Sequence, residues 1–183
     1  MKPPVEMPAV RTIGVAIAVP DPWGSHLRKY RSDLGDPAAD LIPTHITLVP
    51  PHDTVSDALP AIEQHLAEAA AINGSFAVHL RGTGTFRPVS PVVFVAIAEG
   101  IAGCELLALS VRRGPLEMAL RYPYHPHVTV AHDLDEDRLD QAFDELSDFE
   151  CEFEVDSFSL YAHDATSGWE PFREFSLTRS ASG

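Results

Sequence analysis

The sequence predicts a mixed fold of α-helices and β-strands built from two similar halves. Each half reads strand, helix, strand, helix, strand, because apolar residues alternate with period two in some segments and recur every three or four residues in others. Intervals of 32 and then 31 residues separate matching positions in the two halves: Ile13, His45 and Phe76 in the first, and Val95, His127 and Phe158 in the second. We interpret this order and spacing as an internal duplication.

The first half begins after a Pro-rich stretch that precedes Arg11. Turn and cap residues divide it: Asp and Pro favour the start of a helix, and Gly or Asn favours its end. The predicted elements are a strand over 13–19, a helix from Asp21-Pro22 to about residue 34, a strand over 44–49 stopped by Pro50-Pro51, a helix capped by Ser56 and closed by Asn73-Gly74, and a strand over 76–81 followed by a turn or bulge at Gly82-Thr83-Gly84.

The second half repeats this order. Leu139, Ala142, Phe143 and Leu146 fall on one face of its second helix, which gives that helix the clearest periodicity. The predicted elements are a strand over 92–98, a helix over about 102–113, a strand that contains 127–130, a helix over about 136–146, and two last strands over about 152–161 and 172–177.

The composition is that of a globular protein, and the chain of 183 residues is long enough for one domain or two small lobes that share a core. Twelve of the 27 acidic side chains, but one of the 13 basic ones, lie between Asp133 and Asp156. The net charge of −14 argues against long duplex nucleic acid as a partner, since phosphates are usually held by Lys and Arg. Because most of the excess acid lies in one segment, a phosphate site elsewhere remains electrostatically possible.

The two cysteines, Cys104 and Cys151, have no neighbouring ligand at metal-binding spacing, and we expect reduced, buried thiols. No segment approaches the ~20 apolar residues of a membrane span. The first residues lack the apolar stretch of a secretory signal. These features predict a cytoplasmic monomer that does not enter a membrane.

Two short motifs carry the chemistry: Thr44-His45-Ile46-Thr47-Leu48-Val49 and Pro126-His127-Val128-Thr129-Val130. In a strand, residues i and i+2 project from the same face, so each His projects together with its Thr. If the two halves pack about a twofold axis, both pairs face one cleft. Two His-x-Thr motifs at matching places in a repeat are much less expected by chance than one.

Such a pair suits cleavage of a phosphodiester. One neutral imidazole takes a proton from the attacking water or hydroxyl, and a second, protonated imidazole gives one to the leaving oxygen. The Thr hydroxyls can donate hydrogen bonds to the non-bridging phosphate oxygens, where the charge is greatest. This mechanism requires no metal, no other cofactor and no covalent intermediate.

The two motifs, each followed by an aliphatic residue, resemble those of the two-histidine (2H) phosphoesterase superfamily, especially its 2′-5′ RNA ligase-like branch. The resemblance extends over about 11–178. Gly82-Thr83-Gly84-Thr85-Phe86 is similar to a Gly-x-Gly-x-Phe stretch of that branch, and His125-Pro126-His127-Val128-Thr129 is similar to its Pro-His-x-Thr.

The resemblance implies an α+β fold of two duplicated lobes, with antiparallel sheets that line a central cleft and helices outside. The lobes would span about 11–86 and 91–178 of a single bilobal domain covering 1–183, with strands exchanged between them. It also implies that His45 and His127 are catalytic, that Thr47 and Thr129 hold phosphate, and that the substrates are 2′,3′-cyclic phosphates or 2′-5′ linkages of small nucleotides or RNA ends. The branch often has Arg where this chain has His132, so a permanent cation is replaced by a titratable one.

Other residues are candidates for substrate contacts or for a different chemistry. Aromatic side chains can stack a base, and those that fit are Phe86, Tyr122, Tyr124 and Trp169. Guanidinium groups can pair with phosphate, and the candidates are Arg81, Arg87, Arg121 and Arg173. A nucleotide-binding protein without turnover is a second hypothesis. A zinc hydrolase is a third, because His125, His127, His132 and His52 are possible ligands. We predict substrate contacts for Phe86, Tyr124 and His132.

Overall fold

The computed structural model describes residues 9–179; most of the Pro-rich stretch before Arg11 lies outside this range. The strands are β1 (Val10–Ala18), β2 (His45–Val55), β3 (Phe76–Thr85), β4 (Val92–Glu99), β5 (His127–His132), β6 (Glu150–Val155), β7 (Ser157–Asp164) and β8 (Gly168–Ser176). The α-helices are α1 (Trp23–Asp33), α2 (Leu59–Ile72), α3 (Ile101–Val111) and α4 (Glu136–Glu145).

The strands form two antiparallel sheets with the same internal arrangement. The first sheet has the order β2-β1-β7-β8, and the second has the order β5-β4-β3-β6. The predicted α+β fold with antiparallel sheets is therefore confirmed. β3 of the first half pairs with β4, the first strand of the second half, and β7 of the second half pairs with β1, the first strand of the first half.

The helices follow a similar exchange. α1, from the first half, contacts the second half: Tyr30 donates a hydrogen bond to Glu145, and Leu34 accepts one from Arg138. α3, from the second half, contacts α2 and β2. The buried apolar side chains of both sheets and all four helices form one continuous cluster. The strands that carry the two motifs are thus supported from both halves of the sequence.

Several predicted element boundaries are wrong, and three of them concern β2, the start of α2 and the chain around Asp156. β2 continues through Pro50-Pro51 to Val55, because it is the edge strand of its sheet and the register shifts opposite the prolines, where no N–H is needed. Ser56 does not cap α2; it begins a short 3₁₀ turn and its hydroxyl donates to the carbonyl oxygen of Ala9. The strand predicted over 152–161 is two strands, since the chain leaves one sheet for the other at Asp156.

The predicted bulge at Gly82-Thr83-Gly84 is confirmed, since the register of β3 on β4 shifts between Leu80 and Thr83. The equal intervals of the sequence, however, do not join equivalent positions. Ile17 pairs with the residue after His45, and Val95 pairs with the residue after His127, so Ile17 rather than Ile13 is the counterpart of Val95. The connection that leads to His45 is therefore four residues shorter than the one that leads to His127.

Candidate active site

The two His-x-Thr motifs begin the two strands that lie at the centre of the molecule. β2 and β5 are edge strands of different sheets, and they contact each other. Burial along both strands follows one pattern: His and Thr are half-buried, and the residue after each is buried. The His and Thr of each motif thus share a face, as the alternation of a strand requires.

Each of these strands has a β-bulge directly after its Thr. Thr47 pairs with Ala16 while Val49 pairs with Val15, so one residue of β2 has no partner on β1. In the second sheet, Thr129 and Ala131 pair with neighbouring residues of β4 in the same way. A bulge breaks the alternation of side chains. It returns the third residue after each Thr to the face of the motif.

Each motif histidine is held in one tautomer by the backbone. The Nδ1 atom of His45 lies 2.6 Å from the carbonyl oxygen of Pro43, and the Nδ1 atom of His127 lies 2.7 Å from that of His125. A carbonyl oxygen can only accept a hydrogen bond, so Nδ1 carries the proton in both rings. Nε2 of each neutral ring is therefore the nitrogen that can accept a hydrogen bond or a proton.

Burial makes both imidazoles weaker bases than a histidine in water. It lowers the pKa of His45 below 6.5, the Pro43 carbonyl opposes this effect, and the charge of Arg31 adds to it. Burial likewise lowers the pKa of His127, which the carbonyl of His125 raises and the charges of His125 and His45 lower further. Since β2 and β5 contact each other, the two motif histidines lie in the same region of the molecule.

Phe86, a predicted substrate contact, packs against His127. Its ring lies edge-on to the imidazole, with centroids 4.9 Å apart, and 4.5 Å from the ring of Phe94. Phe94 itself lies 5.3 Å from His127. The two phenylalanines therefore form an apolar wall beside His127 and contribute to the burial that lowers its pKa.

Tyr124, another predicted substrate contact, connects the halves. Its hydroxyl donates a hydrogen bond of 2.8 Å to the carbonyl oxygen of Thr47, and the guanidinium of Arg112 lies 4.5 Å from the centre of its ring. Since Tyr124 lies three residues before His127, this bond ties the approach to β5 directly to β2.

Removing this bond is expected to lower stability. Tyr124→Phe leaves the Thr47 carbonyl without its donor, and we expect the free energy of unfolding to fall by about 1 to 2 kcal/mol in urea titrations. Tyr122→Phe is the matched control, because Tyr122 is exposed and two residues away. Equal stability of both variants would show that the bond contributes nothing.

Each of the basic side chains His132, Arg87 and Arg173 has an acidic neighbour. His132, a predicted substrate contact, is exposed and lies 3.3 Å from a carboxylate oxygen of Asp133. Arg87 pairs with Glu136 and Asp140. Arg173 pairs with Glu63. Of these, His132 is the one that the bulge of β5 returns to the face of Thr129.

Several residues of the site were not singled out from the sequence. The carbonyl groups that orient the two imidazoles belong to Pro43 and His125, each two residues before its histidine. Ala16 and Phe94 lie directly opposite Thr47 and Thr129. The repeated spacing of two residues could have pointed to the carbonyls, but the register of the sheets was needed to find the partners.

Within residues 9–179, no three His, Cys, Asp or Glu side chains converge as a metal site would require. In the same part of the chain, no helix is long and apolar enough to cross a membrane.

Comparison with known proteins identifies relatives over most of the chain. A protein of Halalkalibacterium halodurans, named "Putative phosphoesterase", is 28% identical over 166 residues, which cover 90% of this chain and 96% of the relative. A protein of Oceanobacillus iheyensis with the same kind of name is 27% identical over 146 residues, 79% of this chain and 85% of the relative.

Solved structures show the same fold. The apo form of E. coli LigT is similar with a TM-score of 0.71 and 22% identity, over 93% of this chain and 99% of LigT. LigT in complex with 3′-AMP has a TM-score of 0.67 at 19% identity, over 93% of this chain and all of that one. The protein TT0787 of Thermus thermophilus has a TM-score of 0.64 at 21% identity, with 93% and 100% covered.

The model of the 2′-5′ RNA ligase superfamily matches residues 19–167, a range that includes both His-x-Thr strands. Together with the two sheets of equal order, this match shows that the chain belongs to the 2′-5′ RNA ligase superfamily, the 2′-5′ RNA ligase-like branch of the two-histidine phosphoesterases.

Proposed function

We propose that this protein is a metal-independent phosphoesterase that uses His45 and His127 as its acid–base pair. The observation that carries the proposal is the doubled geometry: two half-buried imidazoles, each with Nδ1 bound to a backbone carbonyl, lie on two strands that contact each other. A purely structural role for one histidine would not explain why this arrangement occurs at equivalent places in both strands. The proposed substrates are 2′,3′-cyclic phosphates or 2′-5′ phosphodiesters of small nucleotides or RNA ends.

In the proposed reaction, water attacks the phosphorus of the cyclic phosphate. Nε2 of the neutral imidazole takes the proton of the water as its oxygen bonds to phosphorus. The bond from phosphorus to one ribose oxygen breaks, and Nε2 of the protonated imidazole gives its proton to that oxygen. The product is a phosphomonoester with a free ribose hydroxyl, and proton exchange with water restores the two histidines.

Thr47 and Thr129 are proposed to donate their hydroxyls to the non-bridging phosphate oxygens. Each hydroxyl lies on the same strand face as its histidine, so the phosphate can contact a histidine and a threonine from each sheet. His132 is proposed to approach the phosphate from the same face, and Phe86 to border the substrate at His127. Similarity to LigT, which has been solved with 3′-AMP and with phosphate, supports nucleotide-sized ligands.

Turnover of 2′,3′-cyclic nucleotides and 2′-5′ dinucleotides in the presence of EDTA tests the proposal. Turnover that survives EDTA supports it. Loss of turnover in EDTA would favour a zinc hydrolase that uses the histidines of β5 and its approach. A nucleotide that binds and is recovered unchanged would instead favour a binding protein without turnover.

The pH optimum of kcat/KM is expected to lie on the acid side of neutrality. Because the pKa values of both histidines are lowered from 6.5, the coupled pair titrates below that value in the free enzyme. The kcat/KM profile should be bell-shaped, rising as the base loses its proton and falling as the acid does, with its maximum below pH 6.5. A bound phosphate raises the pKa of a neighbouring imidazole, so the kcat profile should lie at higher pH. A kcat/KM maximum above about pH 7 would contradict this expectation.

A further inference from the structure

The face of the first sheet opens into a pocket beside His45. Its volume is about 130 Å³, and Thr47 borders it together with His45. Its floor is formed by the small residues Gly14 and Ala16 of β1. A phosphate held by His45 and Thr47 would therefore lie at its mouth.

The walls of this pocket, hereafter the Trp169 pocket, are largely apolar. Ile42 lies in the connection to β2, Tyr161 in β7 and Trp169 in β8. Tyr161 is buried, and Ser159 is the hydrogen-bond partner of its side chain. Apart from the His and Thr of the motif, the pocket thus offers few polar groups to a ligand.

The equivalent space in the second sheet is filled. Phe94 stands opposite Thr129 where Ala16 stands opposite Thr47. The backbone N–H of Phe86 donates a hydrogen bond to the carbonyl oxygen of Val92. The corresponding pair in the first sheet is Tyr161 and Gly14, so Phe86 is the counterpart of Tyr161.

The rings of Phe86 and Phe94 pack on each other and on His127. Among residues 9–179, the space beside His45 is thus open to an organic group, whereas the matching space beside His127 is filled by these two rings. The two sides of the site are therefore unequal, although their catalytic motifs match.

We propose that the Trp169 pocket binds one aromatic ring of the substrate, a nucleobase held by its faces rather than by its edges. A cavity of roughly 150 Å³ accommodates benzene, so this pocket has the size of a single ring. Aromatic walls stack on any base, because every base has a π-face. The proposal rests on the proposed function, since it assigns the organic part of the same substrate.

The wall that carries Trp169 is fixed by the backbone. The backbone N–H of Trp169 donates a hydrogen bond of 2.8 Å to the carbonyl oxygen of Leu41. The centre of the His163 ring lies 5.2 Å from that of the indole. Gly168 has φ +80°, and a Cβ there would lie 2.4 Å from the Leu41 carbonyl oxygen. A glycine is thus required for the close approach that brings Trp169 to the pocket.

Gly14→Val tests the proposal by filling the floor. A Cβ at Gly14 meets the Val49 oxygen at 3.5 Å and the Trp169 ring at 3.6 Å, which are ordinary contacts, and the Cγ atoms of valine add bulk beyond that position. A thermal unfolding transition like that of the wild type shows that the variant is folded before its kinetics are compared. Valine is also the residue at the equivalent place of the second sheet, Val92.

We expect the KM for 2′,3′-cyclic nucleotides to rise about tenfold, as loss of base stacking implies. The KM for a 2′,3′-cyclic phosphate of ribose without a base should stay unchanged. An equal change for both substrates, or no change for either, would overturn the proposal.

Fluorescence supplies a readout that needs no turnover. In a Trp23→Phe background, Trp169 is the sole tryptophan of the chain. Titration with 2′-AMP or 2′-CMP should quench its emission, and inorganic phosphate should not.

If nucleotides quench the fluorescence but the protein hydrolyses none of the substrates tested, the result would support binding in the Trp169 pocket and contradict the proposed function. Turnover of cyclic nucleotides with neither quenching nor an effect of Gly14→Val would support the function and overturn the pocket. Trp169→Leu should raise the KM for 2′,3′-cyclic nucleotides as Gly14→Val does, and Phe172→Leu, at an exposed aromatic residue of the same strand, is its control.

Discussion

Replacing either motif histidine by alanine is expected to reduce kcat by about 10²- to 10⁴-fold, the usual contribution of a positioned general acid or base. The loss should be of similar size for His45→Ala and His127→Ala, because each removes one of two proton transfers that occur in the same step. The double variant should be little worse than either single one, since groups that act as a unit do not add.

The chain offers a matched control for this experiment. His52 lies on the same strand as His45, and its Nδ1 atom also lies near a carbonyl oxygen two residues earlier, at 3.2 Å from Pro50. It lies seven residues beyond His45 along β2. His52→Ala should therefore keep kcat within a few-fold of the wild type. Equal losses in His45→Ala and His52→Ala would indicate a general effect on β2 rather than catalysis.

Thr47→Val and Thr129→Val are expected to lower kcat by about 10²- to 10³-fold each, as the removal of one donor to a developing negative charge does in other enzymes. Valine keeps the branched shape and removes only the hydroxyl, so packing on β1 or β4 is preserved. Thr47→Ser and Thr129→Ser should restore most of the activity, because the donor returns. Steady-state kinetics on a 2′,3′-cyclic nucleotide measure all four variants.

Thr44 offers a control that distinguishes an effect on catalysis from an effect on folding in this region. Its hydroxyl is buried and donates to the carbonyl oxygen of Gly24 at 2.8 Å, at the start of α1. Thr44→Val should lower the free energy of unfolding by about 1 kcal/mol and leave kcat nearly unchanged. If Thr44→Val lowered kcat as strongly as Thr47→Val, the role assigned to the motif threonines would be wrong.

Much of the fold followed from local patterns. Strand periodicity and its coincidence with the two motifs predicted that each His and Thr would share a face, and burial along β2 and β5 has that pattern. Helices were also well predicted, because their periodicity and end signals are contained within one segment. Such features depend on neighbours in sequence and are visible there.

Several features that depend on pairing between distant strands were not predicted from the residues. Prolines such as those of β2 would end a central strand but are tolerated in an edge strand. Whether a strand lies at the edge is a property of the whole sheet. The change of sheet at Asp156 and the bulges after Thr47 and Thr129 have the same origin. The pocket beside His45 was missed because it arises from small residues opposite β2, a relation that register alone defines.

The exchange of β3 and β7 makes this chain resemble a domain-swapped dimer joined into one polypeptide. Neither half contains a complete sheet of its own. If the chain were cut after residue 86, β1 in the first fragment would lack its partner β7, and β4 in the second fragment would lack its partner β3. Two such fragments should be poorly folded alone and complement each other when mixed. An acid–base pair with one member on each half would then exist only in the reassembled protein, which couples activity to the completion of folding.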